Sequence, residues 1–253
     1  MHANLESEKR LSSAQIDHEY HPDWLNTVAL GQYLDTVERQ FVLSTLARDP
    51  SVHRLVDLSG GSGRIAIPLA QHGFDVTVTD VSIIPLRRLR QKDRSIRAEL
   101  VDPAASMLPL ADASVDAALC IQVPFYVEDG RNWFFREVHR IIRPGGWLIV
   151  TSTNRSSYKG WLRRLLLVLG RMEPQSWHRF EYVSTPIDLE KRLHTAGFTV
   201  ERHLGYNWAP TLRFSDTGLL PVYTAAEKFM GLDRLPAFSP WVITSARRTP
   251  LAA

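Results

Sequence analysis

Apolar runs and helix-like spacings alternate along most of this 253-residue chain. Apolar side chains recur at helical spacing between Trp24 and Leu46, which predicts one or two helices ahead of the first strand. Short apolar stretches then predict strands at residues 54–58, 76–79, 97–101 and 115–123. Helical segments separate several of these strands, and one of them begins after Ser82, a good helix cap. Strands that alternate with helices predict an α/β fold with a mostly parallel, doubly wound sheet.

A glycine-rich turn directly follows the first predicted strand, in the sequence Asp57-Leu-Ser-Gly-Gly-Ser-Gly63. Glycines let main-chain N–H groups approach a ligand more closely than side chains would allow. The second strand ends at Asp80, 17 residues after Gly63, where nucleotide-binding folds place the acid that holds a ribose. The pattern therefore predicts a site for a nucleoside-containing cofactor. The glycine spacing departs from G-x-G-x-x-G, which disfavours an NAD-dependent oxidoreductase.

Composition is that of an ordinary globular protein, with 44% hydrophobic and 23% charged residues. The single cysteine, Cys120, can form neither an internal disulfide nor a multi-cysteine metal site, so we expect no metal centre and a reducing, cytoplasmic setting. The first ten residues lack the apolar core of a signal peptide, and no apolar run is long enough to span a membrane.

Basic residues concentrate in two segments although the formal net charge is only +3. Residues 87–97 carry a charge of +5, and residues 158–171 carry +4. Such runs are usually solvated helix faces, and neither is interleaved with aromatic residues as a base-stacking surface would be. Nucleic acid is therefore a disfavoured partner.

Four motifs, in order, resemble those of class I S-adenosylmethionine-dependent methyltransferases of the small-molecule, type 11-like family. They are the turn at Asp57–Gly63 (D-x-G-x-G-x-G in the family, with Ser59 here for its first glycine), Leu108-Pro-Leu with Asp112–Asp116, the Pro144-Gly-Gly turn, and Ala196-Gly-Phe198. The resemblance covers residues 54 to about 205. It implies a Rossmann-like, seven-stranded sheet whose last strand, Trp241–Arg247, is antiparallel. It also implies an N-terminal helical cap over residues 1–50 and a methyltransferase domain over 51–253, with lid insertions near 155–184 and 206–240.

The resemblance also implies S-adenosyl-L-methionine as cofactor. The residues it assigns to cofactor binding are Asp57, Ser59, Gly60, Gly61, Gly63, Asp80, Val81, Asp102 and Gln122. Asp80 would accept the ribose hydroxyls, with a helix-capping role as the alternative, and Val81 would pack on the adenine. Asp57 would either fix the turn or reach the methionine amine. Asp102 would meet the adenine amino group, a position that Ala104 or Ala105 could occupy instead.

The acceptor side is less defined by the sequence. A general base is needed only when the acceptor loses a proton, and His178 is the candidate because it falls where the family inserts a substrate lid. Residues 158–171 predict either a lid helix or an interfacial helix in peripheral contact with a membrane. Aromatic residues between Tyr206 and Phe238 favour a largely apolar acceptor pocket.

The sequence thus predicts methyl transfer from S-adenosylmethionine to a small or medium organic acceptor at O, N or C. The alternative is a non-catalytic S-adenosylmethionine-binding subunit or regulator, which Ser59 in the glycine turn motivates. Nucleic-acid methylation is disfavoured because Gln122-Val-Pro-Phe-Tyr126 lacks the Asn/Asp-Pro-Pro-Tyr/Phe pattern. The acceptor and the oligomeric state are left open.

Overall fold

The computed structural model describes residues 28–102, 107–123, 132–171, 184–211 and 216–249. Its seven strands are β1 (Arg54–Leu58), β2 (Asp75–Asp80), β3 (Arg97–Leu100), β4 (Val115–Cys120), β5 (Ile142–Thr153), β6 (Phe198–Tyr206) and β7 (Trp241–Arg248). They form one sheet in the order β3-β2-β1-β4-β5-β7-β6. Strand β7 runs antiparallel to both β5 and β6, while the other pairs are parallel. The predicted seven-stranded sheet with an antiparallel last strand is confirmed.

The helices among the described residues are α1 (Ala29–Leu46), α2 (Ala66–Gln71), α3 (Ile83–Lys92), α4 (Asn132–Ile141), α5 (Tyr158–Val168), α6 (Pro186–Thr195) and α7 (Leu220–Phe229). Local sequence explains several of their ends. Ser82 caps α3, since its side chain accepts a hydrogen bond from the Ile84 N–H. Thr185 and Asp188 form a reciprocal capping box at the start of α6.

Strand β5 includes the Pro144-Gly145-Gly146 turn as an irregularity near its start. Val115 of β4 pairs with Ile142, and Ala117 pairs with Trp147, so the turn bulges out between these two pairs. Gly145 has φ +74°, a backbone conformation that favours glycine. A Cβ on Gly146 would lie 2.5 Å from the Asp116 carbonyl oxygen. Both glycines are therefore required by the bulge.

Apolar side chains fill both faces of the sheet. Alternate residues of β5 point to opposite sides, with Trp147 in one cluster and Leu148 in the other. The first cluster packs against helices α1, α2 and α3, and the second against α4 and α6. Helices on both faces make the sheet doubly wound. No helix in the described ranges is long and apolar enough to cross a membrane.

Candidate active site

The glycine-rich turn leaves the carboxyl end of β1 in a left-handed conformation. Ser59, Gly61 and Gly63 have φ values of 56°, 58° and 87°. Two main-chain hydrogen bonds hold the turn, from Gly60 N to Thr79 O at 3.2 Å and from Gly63 N to Gly60 O at 3.0 Å. Ser59 thus adopts backbone angles that favour glycine, so its side chain does not change the course of the turn.

Asp57 lies directly beneath this turn and is only 2% exposed. A Cβ on Gly60 would lie 2.6 Å from Asp57 Oδ2, so only glycine fits above the carboxylate. Burial raises the pKa of Asp57 to about 7; nearby Arg64 opposes the shift and Asp80 adds to it. Within the described part of the chain, Asp57 Oδ2 has no hydrogen-bond partner. A buried carboxylate oxygen without a partner below the turn is suited to receive a cationic or donor group of a ligand.

Asp80 joins the glycine turn to the start of α3. Its Oδ2 accepts a hydrogen bond from Gly61 N at 3.1 Å, and its Oδ1 accepts one from Ser82 N at 2.9 Å. The residue that caps α3 is Ser82 itself, whose Oγ accepts from Ile84 N at 3.3 Å. The Asp80 side chain is 7% exposed and borders a narrow crevice that Ser59 and Val81 also line.

Two more residues that the sequence assigned to cofactor binding, Val81 and Asp102, border this crevice or lie near it. Val81 is half-buried beside Asp80, and Asp102 is exposed just after β3. Val101, next to Asp102, joins the end of β3 to the end of β2, because its N–H donates to the Asp80 carbonyl oxygen at 2.8 Å. Ala104 and Ala105, the alternatives to Asp102, lie outside the described residues. A wider surface groove lies along Arg90–Glu99, but it includes no residue of the glycine turn. We therefore place the candidate site at the crevice.

Gln122 follows β4 with a left-handed backbone, φ 58°. Its N–H donates to Thr151 Oγ1 at 2.6 Å, and its Nε2 donates to the Glu38 carboxylate at 2.9 and 3.2 Å. The Gln122 side-chain amide is therefore engaged by α1, and the place of Gln122 in the cofactor site stays a prediction. Its main chain still lies at the carboxyl edge of the sheet, beside β5.

Glu38 is the centre of a buried polar network that sequence analysis missed. It is fully buried, pairs with Arg64 Nη1 at 2.8 Å and accepts from Tyr206 OH at 2.8 Å. Asp35 pairs with the same guanidinium at 3.0 Å. The network joins α1 to the residue that follows the glycine turn and to the end of β6. The sequence does contain a sign of this burial, because Glu38 lies at helical spacing between Leu34 and Phe41 on the apolar face of the predicted helix.

A second polar cluster lies just beyond the end of β6, next to Glu38. Tyr33 OH donates to the Glu227 carboxylate at 2.8 and 2.9 Å and accepts from Asn207 N at 3.1 Å. Lys159 Nζ donates to Asn207 Oδ1 at 2.9 Å. Burial lowers the pKa of Lys159 to about 8, an effect that Glu227 opposes. Burial also raises the pKa of Glu227. Strand β6 is parallel to β5, so this cluster lies at the same carboxyl edge as the glycine turn.

His178, the base candidate of the sequence, lies outside the described residues, as does part of the predicted lid at 155–184. Among the residues that are described, no group of three or more His, Cys, Asp or Glu side chains is placed to hold a metal ion.

Comparison with known proteins agrees with this geometry. Residues 56–150 match a family of methyltransferase domains. A ubiquinone biosynthesis O-methyltransferase of Sinorhizobium fredii is 28% identical over 199 residues, which cover 73% of this chain and 76% of that protein. An uncharacterized methyltransferase of Mycobacterium tuberculosis is 32% identical over 123 residues, 48% of each chain. The chain thus spans about half the length of the latter relative.

Solved structures show the same architecture. An S-adenosylmethionine-dependent methyltransferase from Mesorhizobium loti superposes with a TM-score of 0.55 at 24% identity, covering 85% of this chain and 100% of that one. Strand order, the glycine turn and the acid that ends β2 together define a class I methyltransferase fold. The family match covers residues 56–150, and the sheet that contains them has the class I methyltransferase fold that the motifs predicted.

Proposed function

We propose that this protein binds S-adenosylmethionine at the glycine turn and transfers its methyl group to a small or medium, largely apolar organic acceptor at O, N or C. The observation that carries the proposal is the Asp80 carboxylate. It is buried, it is held by Gly61 N and Ser82 N, and it faces the crevice at the carboxyl end of β1. Ligands of open α/β sheets bind in this position.

The residues of the turn fit such a donor. Gly60 presents main-chain atoms where a side chain would collide with Asp57, and Asp57 Oδ2 offers an unsatisfied acceptor for the ammonium group of the methionine moiety. Asp80 would accept the ribose hydroxyls in place of, or beside, its present N–H donors. The donor supplies an activated methyl group on a sulfonium. The protein then has only to hold donor and acceptor in line, with the reacting atoms roughly 3–3.5 Å apart.

The acceptor that we would test first is a hydroxylated aromatic compound. Relatives such as the Sinorhizobium fredii protein are named as O-methyltransferases of ubiquinone biosynthesis, which motivates this class. A phenol must lose its proton as the methyl group arrives, so a base is required. The described cluster offers Lys159, whose lowered pKa of about 8 leaves a share of neutral amine near neutral pH. His178 remains the candidate that the sequence predicted.

The pH dependence of kcat/KM separates these two bases. If the reaction needs a base in its neutral form, the rate rises with pH through the pKa of that base. This pKa is about 8 for Lys159 and about 6.5 for an ordinary histidine. Lys159→Met should abolish the rise in kcat/KM near pH 8, while His178→Ala should leave that rise in place. The opposite result would assign the proton to His178.

Donor binding is tested by isothermal titration with S-adenosylhomocysteine. Asp80→Asn should weaken binding by about 10- to 100-fold, because hydrogen bonds to a charged group are lost. Asp75→Asn is the matched control, since Asp75 begins the same strand but is exposed and pairs with Arg97. Equal affinities for all three proteins would refute the site. Tight binding of the wild type without turnover on any acceptor would instead favour the non-catalytic alternative.

A further inference from the structure

Helix α5 turns its apolar side chains outward. The exposed members follow the spacing of one helix face and are Trp161, Leu162, Leu165, Val168 and Leu169. Trp161 is 66% exposed and Val168 is 84% exposed, while Gly160 is the buried residue of the helix. A helix that serves only as a packed lid would turn this face toward the sheet. Contiguous apolar surface on the outside of a domain marks an interaction site.

A second exposed apolar group lies between the end of α7 and the start of β7. Phe229, which ends α7, is 92% exposed, and Phe238 is also exposed. Asn154, just before α5, fixes this segment by donating from Nδ2 to the carbonyl oxygens of Ala237 at 2.9 Å and Ser239 at 3.1 Å. We call the α5 face together with Phe229 and Phe238 the outer apolar surface.

Positive charge borders the outer apolar surface. Residues 158–171 contain four basic side chains and no acidic one. Arg164 and Arg171 are exposed, on α5 and just past its end, and Lys228 is exposed next to Phe229. Exposed tryptophan, leucine and phenylalanine side chains flanked by arginine and lysine are the composition of a helix that lies in a lipid interface.

We propose that the outer apolar surface docks on the headgroup region of an anionic lipid bilayer, with α5 in the plane of the interface. Charge complementarity selects this occupant over a second copy of the chain. A two-fold interface would bring the same basic segment of both copies together, and like charges would repel. An anionic membrane supplies the opposite charge and accepts the apolar side chains. This inference goes beyond methyl transfer and does not depend on it.

Sedimentation with large unilamellar vesicles tests the proposal on the full chain. We expect the protein to partition onto phosphatidylcholine vesicles that contain phosphatidylglycerol, far more than onto phosphatidylcholine alone. Salt at about 0.5 M should release much of it, because it screens the charges. Trp161→Ser combined with Val168→Ser should lower partitioning by roughly tenfold or more. Arg164→Gln and Arg171→Gln should each lower it about fivefold on the anionic vesicles.

Controls separate this surface from general effects of apolarity and charge. Ile187→Ser removes an equally exposed apolar side chain on α6, and Arg94→Gln removes a charge from the other basic segment; both should bind as the wild type. The serine substitutions are at exposed positions, so circular dichroism and S-adenosylhomocysteine affinity should be unchanged. Failure of the wild type to bind anionic vesicles would overturn the proposal. So would a wild-type dimer that the serine variant converts to a monomer, which would make a second copy the occupant.

Discussion

Removing the Glu38 carboxylate should destabilise the protein more than removing any other single group in its network. Glu38 is fully buried and receives hydrogen bonds from three side chains, those of Arg64, Gln122 and Tyr206. In Glu38→Ala, the Arg64 guanidinium keeps its pairing with Asp35, and the Tyr206 hydroxyl and the Gln122 amide lose Glu38 as their acceptor. Breaking a buried ion pair from one side costs about 3–5 kcal/mol. We expect a loss near that range in the free energy of unfolding.

Two further variants provide a comparison for the stability loss expected in Glu38→Ala. Glu38→Gln keeps the shape and one acceptor oxygen, so we expect a loss of about 1–3 kcal/mol. Asp35→Asn is the matched control, because it also faces Arg64 but leaves Glu38 in place, and its other partner is the half-exposed Arg39. The predicted order of destabilisation is therefore Glu38→Ala, then Glu38→Gln, then Asp35→Asn.

Urea unfolding followed by far-UV circular dichroism measures these differences, provided that the slope with denaturant is unchanged. The network also reaches the glycine turn through Arg64, so Glu38→Gln should weaken S-adenosylhomocysteine binding as well. A loss below about 1 kcal/mol for Glu38→Ala would refute the reasoning, since it would fall under the cost expected for one lost partner of a buried charge. An Asp35→Asn variant less stable than Glu38→Ala would refute it too.

Three more predictions concern the core of the domain. Gly63→Ala should cost about 1–3 kcal/mol more than Gly73→Ala: both glycines have positive φ, but a Cβ at 63 would lie 2.5 Å from Leu89 Cδ1, whereas nothing lies within 4 Å at 73. Urea unfolding gives the free energy of unfolding of both variants. Gly73→Ala measures backbone strain alone, and Gly63→Ala measures strain together with the collision. Burial raises the pKa of Asp57 to about 7, so its stabilising contribution is full below about pH 4 and is lost as the pH rises through 7. Relative to Asp57→Asn, wild-type stability should fall by up to about 1.4 kcal/mol per pH unit in that window, and a pH-independent difference would contradict the assignment. Burial raises the pKa of Cys120 well above its usual value, so Ellman's reagent should react with the native protein only at the rate of unfolding. Fast native labelling would show that β4 is accessible.

The sequence predicted the parts of the fold that repeat or that depend on local chemistry. Hydrophobic periodicity predicts the alternating strands and helices. The glycines at 60, 61 and 63 predict the tight turn after β1, and spacing predicts that Asp80 ends β2. Ser82 as the cap of α3 follows from the same local rules.

Contacts between distant segments were not predictable in this way. The pairing of Glu38 with Arg64 and Tyr206 depends on how α1 crosses the finished sheet, which no local pattern specifies. The spacing of Trp161, Leu165 and Val168 shows that α5 has one apolar face, but spacing gives no direction, and the structure turns that face outward. The sequence places Gln122 at the end of β4, but only the position of α1 reveals that Glu38 holds its side-chain amide.

The measurement that tests the donor site most directly is a crystal structure of the protein with S-adenosylhomocysteine. We predict that the ribose hydroxyls lie within hydrogen-bond distance of the Asp80 carboxylate, with the adenine against Val81 and the amino-acid moiety over Gly60 and Gly61. Ligand bound elsewhere, with Asp80 still accepting from Gly61 N and Ser82 N, would contradict the site.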